Sequence, residues 1–518
     1  MTDAAVNTLP LLVAHLMSHG DRPFLGHGDR RISARDTAEL AYAYANELVN
    51  LGVRPKDRVA ICLEKRCEKV ALLLACGIAG AVSVVINPRL RDAQVAHVLR
   101  DCDPELVWTS EDKMALLAHP GRTFGGRRLE LVDATRVVTR RKAAFPKVEP
   151  AMPATILYTS GSTGLPKGIV QSHRSLCDGA RIVSGYLDLS PKDHLLAVLP
   201  LSFDYGLNQV LAAAWAGAQV TLLSYLAVTE LMQALSDLRC TGLAGVPTLW
   251  VAFCEALRDR KIRPSALRSL RYVTNSGGRL GLAEIRTLRE LLPKVEVFSM
   301  YGLTEAFRST FLPPAEIDRI PGSIGRAIPE VEILVVDPET GKQCADDAVG
   351  ELVHAGALIA DGYWRRATDT ARAFRADPRG TDRPKVVYSG DLVRRDADGW
   401  LWFVGRRDKQ LKVMGYRVSP EEVERELERV PGVAKACVFG VADARLGQKL
   451  VAGLQAEPAT AAELSARVEK HMRARVPPWL QPGELHVLEV LPTNPNGKPD
   501  AAALRALLGF GEDRDAAP

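Results

Sequence analysis

The chain has 518 residues, more than one ordinary hydrophobic core supports, so two or more domains are expected. Hydrophobic residues make up 47% and charged residues 25%, which excludes a disordered or fibrous chain. The net charge of +5 is small for this length and no Lys/Arg block occurs, so a nucleic-acid partner is not expected.

The amino terminus has no basic region ahead of an apolar stretch and does not read as a signal peptide. Residues 37–51 predict an amphipathic helix, residues 58–63 a strand and residues 68–80 a helix. The apolar run 71–86 is short for a membrane span and is interrupted by Gly77 and Gly80. It reads as a buried helix followed by a strand over 81–86. Further strands are predicted at 106–108, 155–158, 195–198, 219–223, 242–246, 271–275 and 295–299. Each is followed by turn residues or a helical pattern, which argues for layered α/β architecture with largely parallel sheets.

After Tyr301 the texture turns β-rich, with short strands and Gly, Pro and Asp turns over 323–351 and 386–405. Ser419 as N-cap, Pro420, Glu421 and Glu422 then announce a helix over 419–430. The remainder alternates strand (434–441), strand (450–455), helix (461–475) and strand (484–488). The fold class expected is therefore α/β. A large N-terminal domain of layered α/β subdomains plus a β-rich subdomain occupies 1–405. A small mobile α+β domain occupies 409–518, with a frayed tail from 510. The nine cysteines lack zinc-site or disulfide spacing, so free thiols in a soluble, cytoplasmic protein are expected.

The densest chemistry lies in YTSGSTGLPKG, residues 158–168, directly after an apolar strand. Thr159, Ser160, Gly161, Ser162, Thr163, Gly164 and Lys167 combine hydroxyl donors, glycines that let backbone N–H groups curl round an anion, and one cation. That is what a polyphosphate needs. The Walker pattern is absent, because Pro166 precedes the lysine and Gly168 follows it.

This loop resembles the signature of the AMP-forming ligase superfamily, which comprises acyl-CoA synthetases, adenylation domains and luciferases. Tyr301-Gly302-Leu303-Thr304-Glu305, Gly350-Glu351-Leu352, Tyr388-Ser389-Gly390-Asp391, GRRDKQLKVMGYRVSPEEVE from Gly405, and Pro495-Asn496-Gly497-Lys498 follow in the family's order. Together the segments cover residues 30 to 505. The stretches NSGGRL, YGLTEAFRST and PGSIGRAIP also resemble standalone amino-acid:carrier-protein ligases and exosortase-associated AMP-forming acyl-CoA ligases, two groups that point to different acids.

The resemblance implies ATP and Mg²⁺ as cofactors and assigns roles. Tyr301 and Gly302 meet adenine with Gly277 and Gly278, while Thr304 bonds the α-phosphate. Glu305 holds the metal, which needs only one or two protein carboxylates beside phosphate and water. Asp391 and Arg406 hold the ribose. Lys498 bridges the attacking carboxylate and the α-phosphate, neutralising two anions that must meet. Asp408 is the hinge within 406–408, and Gly415 lines the channel for the acceptor thiol.

The segment Leu201-Ser202-Phe203-Asp204 bears on the acid. Amino-acid adenylation domains carry Phe-Asp here and pair the Asp with the substrate ammonium group. A buried carboxylate is costly without such a cation. The alternative is an Asp204 turned toward a helix N-terminus or solvent. Tyr205, Asn208, Val273, Asn275, Met300, Arg308 and Ser309 complete the implied pocket. Arg308 either receives a second carboxylate or polar group, or pairs with Asp204.

The implied reaction joins a carboxylic acid, an amino acid by preference, to AMP. It then passes the acyl group to CoA or to the phosphopantetheine of a carrier protein. A fatty or small-acid acyl-CoA ligase and a non-catalytic nucleotide-binding homologue are the alternatives.

Overall fold

The computed structural model describes residues 6–90, 92–111, 130–133, 144–159, 166–381, 385–407, 411–418, 420–443, 445–456, 461–492 and 499–510. Residues 160–164, Asp408, Ser419, Lys498 and the tail from 511 lie outside them, and so does the side chain of Arg406.

Two sheets carry the large part of the chain. One runs, among the described residues, in the order Arg326–Ala327, Thr310–Leu312, Glu296–Tyr301, Tyr272–Asn275, Gly242–Gly245, His194–Ala197, Gln219–Leu222, Pro23–His27, Arg30–Ser33. Its six central strands are parallel and its outer pairs antiparallel. The second runs Gly362–Tyr363, Lys167–Ser172, Pro153–Thr159, Val82–Val85, Arg58–Cys62, Leu106–Thr109, Glu130–Asp133.

A shared layer of helices lies between these sheets. Cys67–Ile78 is buried at every position, Glu68 and Lys69 of its first turn included, as expected of a helix packed on both sides. Ala34–Asn50 opens with a capping box in which Ser33 and Asp36 satisfy each other's backbone N–H groups. Both join one core with Leu9, Leu12 and Leu16, with Ile61 and Leu157 of one sheet, and with Leu195 and Val220 of the other. The helix Leu9–Ser18 was not legible in the sequence as an element. It buries Leu9, Leu12, Val13 and Leu16, one face at helical spacing, behind the Thr8 N-cap.

The outer faces are covered as well. Helices Val228–Asp237, Pro247–Arg258 and Leu282–Leu291 pack on the first sheet through Leu231, Trp250 and Leu288. Helix Asp92–Cys102 packs on the second through Val95, Val98 and Leu99.

The β-rich segment forms a third sheet, Val331–Val336, Val349–Gly356, Val386–Arg395 and Phe374–Arg375, with Leu401–Arg406 paired to Val386–Arg395. The C-terminal strands form a fourth, with Leu411–Val413, Tyr416–Val418, Lys435–Asp443, Gly447–Gln455 and Glu484–Leu488. It builds its own core from Val438, Leu450, Leu464 and Val468. No helix among the described residues is long and apolar enough to cross a membrane.

Candidate active site

In parallel sheets the functional groups collect beyond the carboxyl ends of the strands. Here two adjacent strands, Tyr272–Asn275 and Glu296–Tyr301, end side by side. The first runs into Ser276-Gly277-Gly278. The second runs into a tight loop that returns as Thr310–Leu312, antiparallel to it. Phe307, fully buried at φ 53°, holds the loop in a left-handed turn that bulky residues rarely adopt.

The loop is fixed from outside. The Gln171 side chain, wholly buried on Lys167–Ser172, donates from Nε2 to the Thr304 carbonyl at 2.5 Å and accepts from Ser175 Oγ at 2.7 Å. Glu305 Oε1 accepts from the Tyr363 hydroxyl at 2.7 Å, and the Glu305 carbonyl accepts from the Ala360 N–H at 2.9 Å. Lys167 Nζ lies 3.0 Å from Asp369 Oδ2 and 5.6 Å from the centre of the Tyr363 ring. The cation at the end of the Ser/Gly-rich loop and the candidate metal carboxylate are therefore separated by one tyrosine ring.

On the other side, the Tyr301 hydroxyl donates to Asp391 Oδ2 at 2.6 Å. Asp391 is held in turn by its neighbours. Its N–H donates to Ser389 Oγ at 3.1 Å, and Ser389 donates to the Leu352 carbonyl at 2.7 Å. Glu351, 3% exposed, accepts from the Gly390 N–H at 2.9 Å and from Arg407 Nη1 at 3.0 Å. Arg406 stands opposite Asp391 in the strand register. The acidic residue of Gly350-Glu351-Leu352 thus works as a clamp on the strand that presents Asp391.

The fourth sheet touches this site through Lys412, whose Nζ lies 5.8 Å from the centre of the Tyr301 ring, and through the turn at Gly415. Gly277 and Gly415 both have positive φ, 81° in each case. A methyl group added to Gly277 would lie 3.5 Å from the Gly415 carbonyl oxygen, and one on Gly415 would lie 3.0 Å from Val246 Cγ1. Glycine is required at 415 by conformation and by contact alike. The turn is seated by Met414 N–H on the Leu446 carbonyl and by Tyr416, stacked on Trp479 with ring centres 3.7 Å apart.

The implied acid pocket is brought together only in part. Tyr205, Asn208, Met300 and Arg308 line a cavity between the helices His173–Tyr186 and Asp204–Ala216 and the first sheet. Val273 does not. It packs in the core on the opposite face with Leu196, Trp250 and Phe253, and Tyr272 and Thr274 line the cavity instead. The physical reason is the two-residue alternation of a strand, in which a shift of one position changes face. Asn275, on the same phase as Val273, donates from Nδ2 to the Gly278 carbonyl at 2.9 Å. Ser309 is also turned away from the cavity, with its Oγ 3.0 Å from His354 Nδ1. His354 Nε2 lies 2.8 Å from the Ala357 carbonyl, so the ring is neutral with its proton on Nε2, and Ser309 is the donor to Nδ1. Burial of this ring pushes its pKa down to about 4.

Asp204 opens its helix and is 3% exposed. Its Oδ2 is 3.4 Å from Arg308 Nη1, and the Arg308 guanidinium lies 4.5 Å from the Tyr205 ring centre. Of the two roles open for Arg308, pairing with Asp204 is present in this structure.

Sequence reasoning did not single out Gln171, Tyr363 or Asp369. Their partners lie far away in the chain, and the run DGYWRR gives no local sign that Tyr363 reaches Glu305.

The model of the AMP-binding enzyme family matches residues 13–364, and that of the AMP-binding enzyme C-terminal domain matches residues 422–498. The chain belongs to the AMP-binding enzyme family. A curated relative, the L-proline--[L-prolyl-carrier protein] ligase of Streptomyces coelicolor, is 30% identical over 93% of this chain and 93% of its own length. Among solved structures, an o-succinylbenzoate CoA synthetase of Bacillus subtilis is 25% identical with a TM-score of 0.82, covering 95% of this chain and 98% of that one. A malonyl-CoA ligase bound to methylmalonyl-CoA and AMP is 28% identical with a TM-score of 0.78, covering 92% and 98%. Other curated relatives are far longer nonribosomal peptide synthetases, and the chain spans only 6% and 20% of the length of two of them.

Proposed function

We propose that this AMP-binding enzyme activates a carboxylic acid, an amino acid by preference, as its acyl-AMP and passes the acyl group to a thiol. The thiol belongs to CoA or to the phosphopantetheine of a carrier protein. One observation supports the reading: the run Tyr301–Glu305 carries two contacts, Tyr301 on Asp391 and Glu305 on Tyr363, and the Tyr363 ring centre lies 5.6 Å from Lys167 Nζ.

In the first step the substrate carboxylate oxygen forms a bond to the α-phosphorus of ATP. The bond from that phosphorus to the β-bridging oxygen breaks, and pyrophosphate leaves. No protein nucleophile is needed. Residues 159–164 and Lys167 cradle the phosphates, Thr304 bonds the α-phosphate, and Asp391 with Arg406 orients the ribose beside Tyr301, Gly302, Gly277 and Gly278. Lys498 brings the cation that lets the two anions approach. In the second step the thiol sulfur attacks the acyl carbon, its proton is released and AMP departs. The turn at Gly415, seated beside Gly277, suits delivery of that thiol. Asp408 is the hinge that moves the small domain between steps.

Glu305 fits a divalent cation. It is a buried carboxylate oriented by Tyr363, and Mg²⁺ on ATP draws most of its ligands from phosphate and water. Such an ion supplies charge neutralisation on the phosphates. No group of three or more His, Cys, Asp or Glu able to hold a metal occurs among the described residues, so a metal cage independent of the nucleotide has no support here. A reducing, cytoplasmic compartment accords with the nine cysteines, all free.

The direct experiment separates the half-reactions. Lys498→Ala is expected to abolish acid-dependent pyrophosphate exchange while sparing thioester formation from supplied acyl-AMP. Equal loss of both would assign Lys498 a structural role.

A further inference from the structure

Arg308 is 2% exposed, and only one of its three nitrogens is engaged. Nη1 donates to the Phe307 carbonyl at 2.8 Å and faces Asp204 Oδ2 at 3.4 Å, long for a charged hydrogen bond. Nε and Nη2 are buried without an acceptor. That edge of a guanidinium carries parallel N–H groups whose spacing matches the two oxygens of a carboxylate. Buried donors without acceptors are costly and rare in folded proteins. Two acceptors also lack a partner: Asn208 Oδ1 and Gln209 Oε1 are buried with no donor and line the same cavity as Arg308, so the cavity calls for a ligand with N–H donors, such as an ammonium group, as well as for a carboxylate on the arginine. The rest of the wall is largely apolar, with Leu187, Ala244 and Met300. A core that only needed an ion pair would not collect unsatisfied groups of both signs round one cavity.

We propose that this cavity receives a second carboxylate of the substrate, with the Nε–Nη2 edge of Arg308 as its receptor, so that the acid activated is a small amino dicarboxylic acid. The proposal rests on the adenylation reading above. Charge bookkeeping supports it. The substrate ammonium group draws Asp204 away from Arg308, and the distal carboxylate replaces Asp204 as the partner of the arginine. Two buried protein charges exchange one mutual contact for two substrate contacts, and no charge is left uncompensated. A neutral apolar amino acid would take Asp204 and strand the guanidinium, which the interior penalises strongly. Selectivity then follows from the general asymmetry that a site built to bond a polar group rejects analogues lacking it.

The test is pyrophosphate exchange by the full chain over aspartate, glutamate and succinate against asparagine, glutamine, alanine and leucine. The diacids with an amino group are expected to exceed their own amides by on the order of 100-fold or more in kcat/KM. Arg308→Met should bring that ratio close to one, and Arg308→Lys, which keeps the charge but not the fork, should give an intermediate ratio. Because Arg308→Met leaves Asp204 buried without its cation, Arg308→Met/Asp204→Asn is measured beside it, with melting curves to establish folding. Faster wild-type exchange with leucine or the amides than with the diacids overturns the second-carboxylate claim and leaves adenylation standing. An Arg308→Met or Arg308→Lys enzyme that loses activity on all acids in proportion overturns it too. Exchange with no acid overturns both readings.

Discussion

Tyr301 and Asp391 lie 90 residues apart in the chain and meet as hydroxyl on carboxylate at 2.6 Å. The contact joins the end of a strand in the first sheet to the third sheet, so two separately built layers are locked where nucleotide recognition is proposed. Tyr301→Phe removes that donor and leaves the ring. ATP binding by titration calorimetry is expected to weaken roughly tenfold, the worth of one hydrogen bond to a charged group. Asp391→Ala is expected to weaken it further. Unchanged affinity in both would detach this pair from the nucleotide.

Glu305→Gln keeps the shape of the side chain and its bond to Tyr363 while removing the charge. Exchange is expected to fall by about 100-fold or more, as for loss of a transition-state electrostatic contact, with the midpoint of a Mg²⁺ titration moved upward. Tyr363→Phe, which only releases the carboxylate from its orienting donor, should produce the same shift in smaller measure.

Gly415→Val places a side chain against Val246 at a backbone conformation that suits glycine. If the turn serves thiol delivery, the second half-reaction should slow at least about tenfold, with acid-dependent exchange close to wild type. Equal loss of both half-reactions would make the turn a fold element only.

His354 gives a pH signature. Its pKa is about 4 in the folded chain, below the ordinary 6.5, because burial disfavours the imidazolium. His173, buried with Nδ1 accepting from the Leu9 N–H, is likewise pushed down to about 4. Below pH 6.5 the unfolded chain takes up protons that the folded chain refuses, so stability is lost as pH falls from 6.5 toward 4 and is unaffected by these groups above that window. The loss approaches roughly 3 kcal/mol for each ring at the lower end. Urea midpoints across this range should decline in wild type and decline less steeply in His354→Gln, even though that variant starts lower at pH 7.

Much of this was readable in the sequence because the chemistry is written in short contiguous runs. Tyr301-Gly302-Leu303-Thr304-Glu305 carries its loop, its acid and its aromatic side by side, and the strand Arg58–Cys62 announces itself by the apolar run from Val59 to Leu63. What was not readable depends on distance or on phase. Gln171 reaches Thr304 across 133 residues, and nothing near Gln171 in the chain points there. Val273 and Tyr272 are both apolar enough for either face of a doubly covered strand, so only the fold decides which one meets the cavity. Asp204 and Arg308 face each other at 3.4 Å although they lie 104 residues apart, and nothing local in either run shows that the fold brings them together.

The most direct measurement is acid-dependent exchange of labelled pyrophosphate into ATP by the purified full chain with Mg²⁺. Exchange is expected to require a carboxylic acid and to disappear in Lys498→Ala, and addition of a thiol acceptor is expected to release AMP rather than ADP. Acid-independent exchange, or ADP and phosphate as products, would contradict it.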